Sequence, residues 1–133
     1  MTALLEPTRN ADSQEFWDAM QQEKLLLQEC GDCGALDFMP RHMCPVCWSP
    51  NRKWREASGE GTVHSFSIVR RASSPAFASR VPYVVVLIDL AEGPRMPSAL
   101  VGDDALSVTI GDPVRMTFEA RGEEKLAVFE LAK

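Results

Sequence analysis

The chain has 133 residues, 45% of them hydrophobic and 25% charged, and 14 Lys plus Arg against 19 Asp plus Glu give a formal net charge of −5. This is the composition of one ordinary globular domain or two small lobes sharing a core, not of a disordered or fibrous chain. No apolar run nears the ~18–20 residues of a membrane helix, and an acidic chain lacks the phosphate-neutralising charge that dominates nucleic-acid affinity. The start, MTALLEPTRNADSQ, has no basic segment followed by an apolar one, so the expected location is the cytoplasm.

Residues before about Asn10 read as a loose tail. Asp12-Ser-Gln-Glu15 then reads as a capping-box variant with Asp12 as N-cap. A helix is predicted from there to about Lys24, with Phe16, Trp17 and Met20 on its apolar face. Leu25–Glu29 is predicted to run as a strand into the next motif.

That motif is C-x-x-C, ten residues, C-x-x-C: Cys30, Cys33, Cys44 and Cys47, the chain's only cysteines. Two residues between thiols let one tight turn aim both sulfurs at a point, and two such knuckles supply the tetrahedral thiolate set that Zn²⁺ prefers. Gly31 and Gly34 fall where positive φ is cheap only for glycine, and Pro45 stiffens the second knuckle. Four thiolates close the shell, so the expected zinc is structural; His42, two residues before Cys44, reads as exposed or supporting. C-P-x-C knuckles also hold a single iron, which would make the chain an electron carrier. A ribbon of this size is too small to fold without a metal staple.

After Cys47 a turn at Ser49-Pro50-Asn51 leads to Lys53-Trp54-Arg55-Glu56. Gly61–Val69 is rich in β-branched and aromatic residues and is predicted as a long strand. Ala72–Arg80 is a Ser/Ala/Pro loop. Pro82–Leu90 is the clearest strand, and its unbroken apolar run predicts burial on both faces. A short strand follows at Pro97–Val101. Strands also follow over Val114–Phe118 and from Leu126 to Leu131, separated by the turn Arg121-Gly122-Glu123-Glu124. The prediction is mainly β: residues 1–24 tail and helix, 25–57 zinc ribbon, and 58–133 a five-stranded Greek-key barrel of the OB type.

The F-W helix, C-x-x-C-G, the C-P-x-C knuckle, WREASGEGTVHSFSIV and PYVVVLIDLAEGPR together resemble the family called domain of unknown function 35. The resemblance runs from about Phe16 to Phe129. It implies a rubredoxin-like zinc ribbon fused to an OB fold, acting as an accessory subunit. Such a subunit binds or channels an acyl-CoA thioester for a thiolase-fold enzyme in a hetero-oligomer. By that likeness Phe16, Trp17 and Met20 would line a pantetheine or acyl path, and Arg41 or Arg70 would meet phosphates.

Independent catalysis is disfavoured. Acyl transfer of the thiolase type needs a free thiolate with a base, and every cysteine is committed to metal. G-x-S-x-G, P-loop and GxGxxG patterns are absent. His64 reads as a packed or edge residue on a strand, and Asp89 and Glu92 as solvated carboxylates near a turn. The competing reading is a single-stranded nucleic-acid-binding OB module, which needs aromatics beside basic residues on its second and third strands. The Tyr83 strand offers mostly aliphatics.

Overall fold

The computed structural model describes residues 4–133. In chain order the elements are α1 (Gln14–Gln21), β1 (Leu26–Cys30), β2 (Leu36–Asp37), β3 (Arg52–Glu56), β4 (Glu60–Val69), β5 (Tyr83–Leu90), β6 (Arg95–Val101), β7 (Pro113–Arg121) and β8 (Glu124–Leu131). The first three strands form a small sheet in the order β2-β1-β3. The other five close a barrel in the order β4-β5-β6-β8-β7, sealed by antiparallel pairing of Glu60–Thr62 with Pro113–Arg115. The parallel β6–β8 step is the joint that lets five strands close in this OB arrangement. Among the described residues no helix is long and apolar enough to cross a membrane.

Inward side chains fill the barrel. Val63, Val84, Val86, Ile88, Met96, Leu100, Val114 and Phe129 are all buried, and Ala105 and Val108, flanking a 3₁₀ turn between β6 and β7, pack with them. The same core takes in Phe16 and Met20 of α1 and Leu25 and Leu27 around the start of β1. Helix, ribbon and barrel therefore share one apolar interior, and the Ala57 N–H donates to the Leu25 carbonyl (2.8 Å) where the chain leaves the ribbon.

Three expectations are corrected. The apolar run of β5 is not buried on both faces: its side chains alternate, and Val85 and Leu87 point outward, 42% and 37% exposed. The barrel covers only one side of the strand, so period-two geometry sends alternate residues out whatever their polarity. Asp12 is not the N-cap of α1. Ser13 holds that position, tied to Asn10 by Ser13 N–H to Oδ1 (2.9 Å) and Asn10 N–H to Oγ (3.1 Å), while Asp12 faces His42 at 3.6 Å. The helix stops at Gln21, before Lys24, because Glu23 turns left-handed (φ 58°).

The tail is anchored through Glu6 and Arg9; residues 1–3 of the expected loose segment lie outside the described residues. Arg9 donates from Nε and Nη2 to the Glu124 carboxylate (2.8 and 3.0 Å) and pairs with Asp18 of α1. Glu6 accepts the Glu123 N–H at 3.1 Å. Glu124 is buried, and the Arg9 hydrogen bond holds its carboxyl below the ordinary value of 4.5.

Phe129→Ala, at a fully buried position, is expected to cost about 3–5 kcal/mol in denaturant unfolding, whereas Leu87→Ser on the outer face stays within about 0.5 kcal/mol of the parent. Arg9→Ala tests the clamp by its pH dependence. A carboxyl depressed by folding contributes stability above its unfolded pKa and loses it on acidification. The parent should therefore exceed Arg9→Ala in stability at neutral pH, and the two should converge as the pH falls below the ordinary 4.5 of Glu124. Parallel pH–stability curves would refute the clamp.

Candidate metal centre and apolar cleft

Each pair of cysteines brackets a tight turn. The Gly34 N–H returns to the Cys30 carbonyl (3.0 Å) and the Trp48 N–H to the Cys44 carbonyl (2.9 Å), so the knuckles are built alike. Both fifth residues are left-handed, Gly34 at φ 78° and Trp48 at φ 66°. Gly31 is not: a Cβ there would lie 2.4 Å from Asn51 Nδ2, so any larger residue would have to displace the Asn51 side chain. The four sulfurs all lie within 4.8 Å of one another, with Cys30–Cys47 and Cys33–Cys44 at 3.6 Å. A tetrahedron with metal–sulfur bonds of ~2.3 Å has edges of about 3.8 Å, so the donor set fits zinc. Backbone N–H groups support it. Those of Cys33 and Asp32 lie 3.4 Å from Cys30 Sγ and lower its thiol to about 6. Cys44 is lowered likewise by the backbone of Cys47 and Val46.

Polar side chains lock the knuckles together. Asp32, inside the first turn, accepts from Ser49 Oγ and from Asn51 Nδ2 (3.4 Å) just past the second. Gln28 Oε1 accepts the Arg41 N–H (2.7 Å) and Arg52 Nη2 (3.0 Å), and Arg52 also pairs with Asp37. None of the pairings among these six side chains stood out from spacing alone, because each joins residues that only the finished ribbon brings near.

Between α1, the ribbon and the barrel lies a largely apolar cleft of about 620 Å³. Phe16, Trp17 and Met20 line it, with Phe38 and Met39 from the ribbon. Phe16 meets the Trp17 ring edge-on at 5.1 Å between centroids and Phe38 at 5.9 Å. The cleft runs to the barrel where β6 and β8 part: they pair only at Leu100–Phe129 and Val101–Glu130, and before that Ser98 Oγ donates to the Ala127 carbonyl (2.8 Å). Phe77 and Tyr83, packed at 5.5 Å, form a further wall.

Sequence reasoning missed the cleft's charged end. Arg80 and Arg121 both donate to Glu119, at 2.8 and 3.1 Å. Burial pushes the Glu119 carboxyl up, but the two guanidiniums outweigh it and hold it below the usual range. Arg80 and Glu119 are 39 residues apart, beyond the reach of any local pattern. Arg41 and Arg70 do not line this cleft. Arg41 borders a shallower depression with Asp12, His42, Met43, Pro45 and Trp48, and Arg70 is exposed just past β4. His64 sits at a bulge in β4, partly exposed, 3.4 Å from Asp89, whose carboxyl is lowered chiefly by Arg95. Glu92 accepts the Ser58 N–H at 2.8 Å.

A four-cysteine ribbon sharing its core with a five-stranded barrel defines the class, a zinc-ribbon and OB-fold protein. The family described as the rubredoxin-like zinc ribbon domain of ChsH2 matches residues 17–51, and that described as the C-terminal OB-fold domain of ChsH2 matches residues 54–119. A DUF35 domain-containing scaffold protein of Methanothermobacter thermautotrophicus is 36% identical over 108 residues, 78% of each chain. The chain belongs to the DUF35 family. A probable enoyl-CoA hydratase alpha subunit of Thermomonospora curvata is 37% identical over 127 residues, which span 95% of this chain but only 39% of that protein. A solved structure titled Ltp2-ChsH2(DUF35) aldolase is 35% identical, with a TM-score of 0.85 over 96% of this chain and 100% of that one.

One zinc per chain is the expected metal content, and a Cys30→Ser, Cys44→Ser double variant should carry none. Comparable four-ligand modules gain on the order of 10 kcal/mol from the metal. Chelation is therefore expected to abolish hydrogen-exchange protection in β1–β3 and, through Leu25 and Leu27, to lower the melting temperature of the barrel as well. Unchanged melting after metal loss would contradict this.

Proposed function

We propose that the chain is a zinc-stapled scaffold subunit, without catalytic residues of its own, that binds or channels an acyl-CoA thioester and partners a thiolase-fold enzyme. The observation that carries this reading is the likeness to the Ltp2-ChsH2(DUF35) aldolase chain over its whole length, since that title joins a DUF35 chain to a second component. The enoyl-CoA hydratase named for the Thermomonospora curvata relative adds a CoA thioester and a subunit role. The resemblance in sequence supplies the thiolase fold of the partner.

The site's chemistry agrees with a helper. The zinc takes Cys30, Cys33, Cys44 and Cys47 as its ligands and leaves no thiolate for acyl transfer. A cleft of about 620 Å³ falls within the range of small-molecule sites. In this reading Phe16, Trp17 and Met20 cover the acyl or pantetheine part. Against nucleic acid, the outward registers of β5 and β6 pair Val85 with Ala99 and Leu87 with Pro97, which gives no stacking platform between cations.

The deciding experiment is a pull-down with the tagged, zinc-loaded chain. A thiolase-like subunit in stoichiometric amount is expected; recovery of single-stranded DNA or RNA with no protein partner would overturn the proposal. For the ligand, calorimetric titration of octanoyl-CoA should show Trp17→Ala weakening binding by about tenfold, an effect of ~1.4 kcal/mol, with zinc content unchanged. Equal binding by Trp17→Ala would remove the cleft from the reading.

A further inference from the structure

We infer that Arg80, Glu119 and Arg121 form a single-anion site that takes the carboxylate of an amphipathic ligand whose apolar body lies in the cleft. This rests on the reading of the cleft as a ligand site and adds what its far end recognises. Among the described residues these three are the only charged ones lining the cleft. One carboxylate is shared between two guanidiniums, so the cluster carries one positive charge in excess.

The excess has a place to act. Arg121 Nε is buried and has no hydrogen-bond partner, although the side chain also bonds Glu119 and, more loosely, the Leu5 carbonyl (3.4 Å). Nε itself is shielded from solvent, so an anion would meet the cluster through its terminal nitrogens, chiefly those of Arg80, whose side chain is one third exposed where it lines the cleft. Arg80 is held for the task, its guanidinium carbon 5.9 Å from the centroid of the Phe77 ring, with Glu119 on its other contact. A cluster needed only to pin the loop after β4 onto β7 would be complete with Arg80 and Glu119 alone. The second arginine is what makes it a receptor. A single unit of charge amid apolar walls suits a carboxylate; a pyrophosphate would bring more negative charge than the cluster can neutralise.

The test uses the full, zinc-loaded chain, titrated at neutral pH with decanoate and with 1-decanol and followed by NMR. Decanoate is expected to bind about tenfold tighter, the scale of one charge-assisted contact. The Arg80→Gln, Arg121→Gln double variant should bring that ratio near one and leave decanol binding unchanged. Glu119→Gln frees both guanidiniums and should increase the preference for decanoate, which a merely structural cluster would not do. Equal affinity of the parent for the two ligands, or a preference that survives in the double variant, would overturn the inference while leaving the cleft as a site. Displacement of decanoate by inorganic pyrophosphate would overturn the carboxylate assignment. If neither ligand binds, the cleft reading falls and this one with it.

Discussion

The ribbon depends on one constraint: four sulfurs from two distant turns must converge on one point. The segment between the first and last cysteine contributes only a two-residue strand and no fully buried large aliphatic side chain. It cannot fold on apolar burial. The metal set replaces the missing core, and the Asp32–Ser49–Asn51 bonds then fix how one knuckle faces the other. With the knuckles fixed, β1 is fixed, and β1 carries Leu27 into the common interior while Leu25 just before it does the same.

What could be read from the chain was what is local. Cysteine pairs two residues apart aim at a point whatever surrounds them, and the alternation of Val114, Met116 and Phe118 defines a strand without help from its neighbours. Where two local devices compete, reading failed by small margins. Asp12 and Ser13 both suit an N-cap, and the decision fell to Ser13 because Asn10 could bond it reciprocally. The β5 run was misjudged for a different reason, since apolar side chains on both faces say nothing about whether both faces are covered.

The cleft was half legible. Phe16, Trp17 and Met20 follow from the face of one helix, but the opposite wall is assembled by topology. Arg80 comes from a loop, Glu119 and Arg121 from the far end of β7, and only barrel closure places them together. Arg41 and Arg70, which the family likeness offered for phosphates, lie elsewhere on the surface. A family likeness does not reveal a charge cluster whose contacts are long-range.

The ribbon contributes Phe38 and Met39 to the same cavity that the barrel and helix enclose, so the sulfur site and the cleft share a wall. Linkage would then run both ways: a guest that bound the metal-loaded ribbon more tightly would, by the same factor, tighten retention of the ion. Scarcity of one would register as poor capture of the other, and the scaffold would report its metallation state through its cargo.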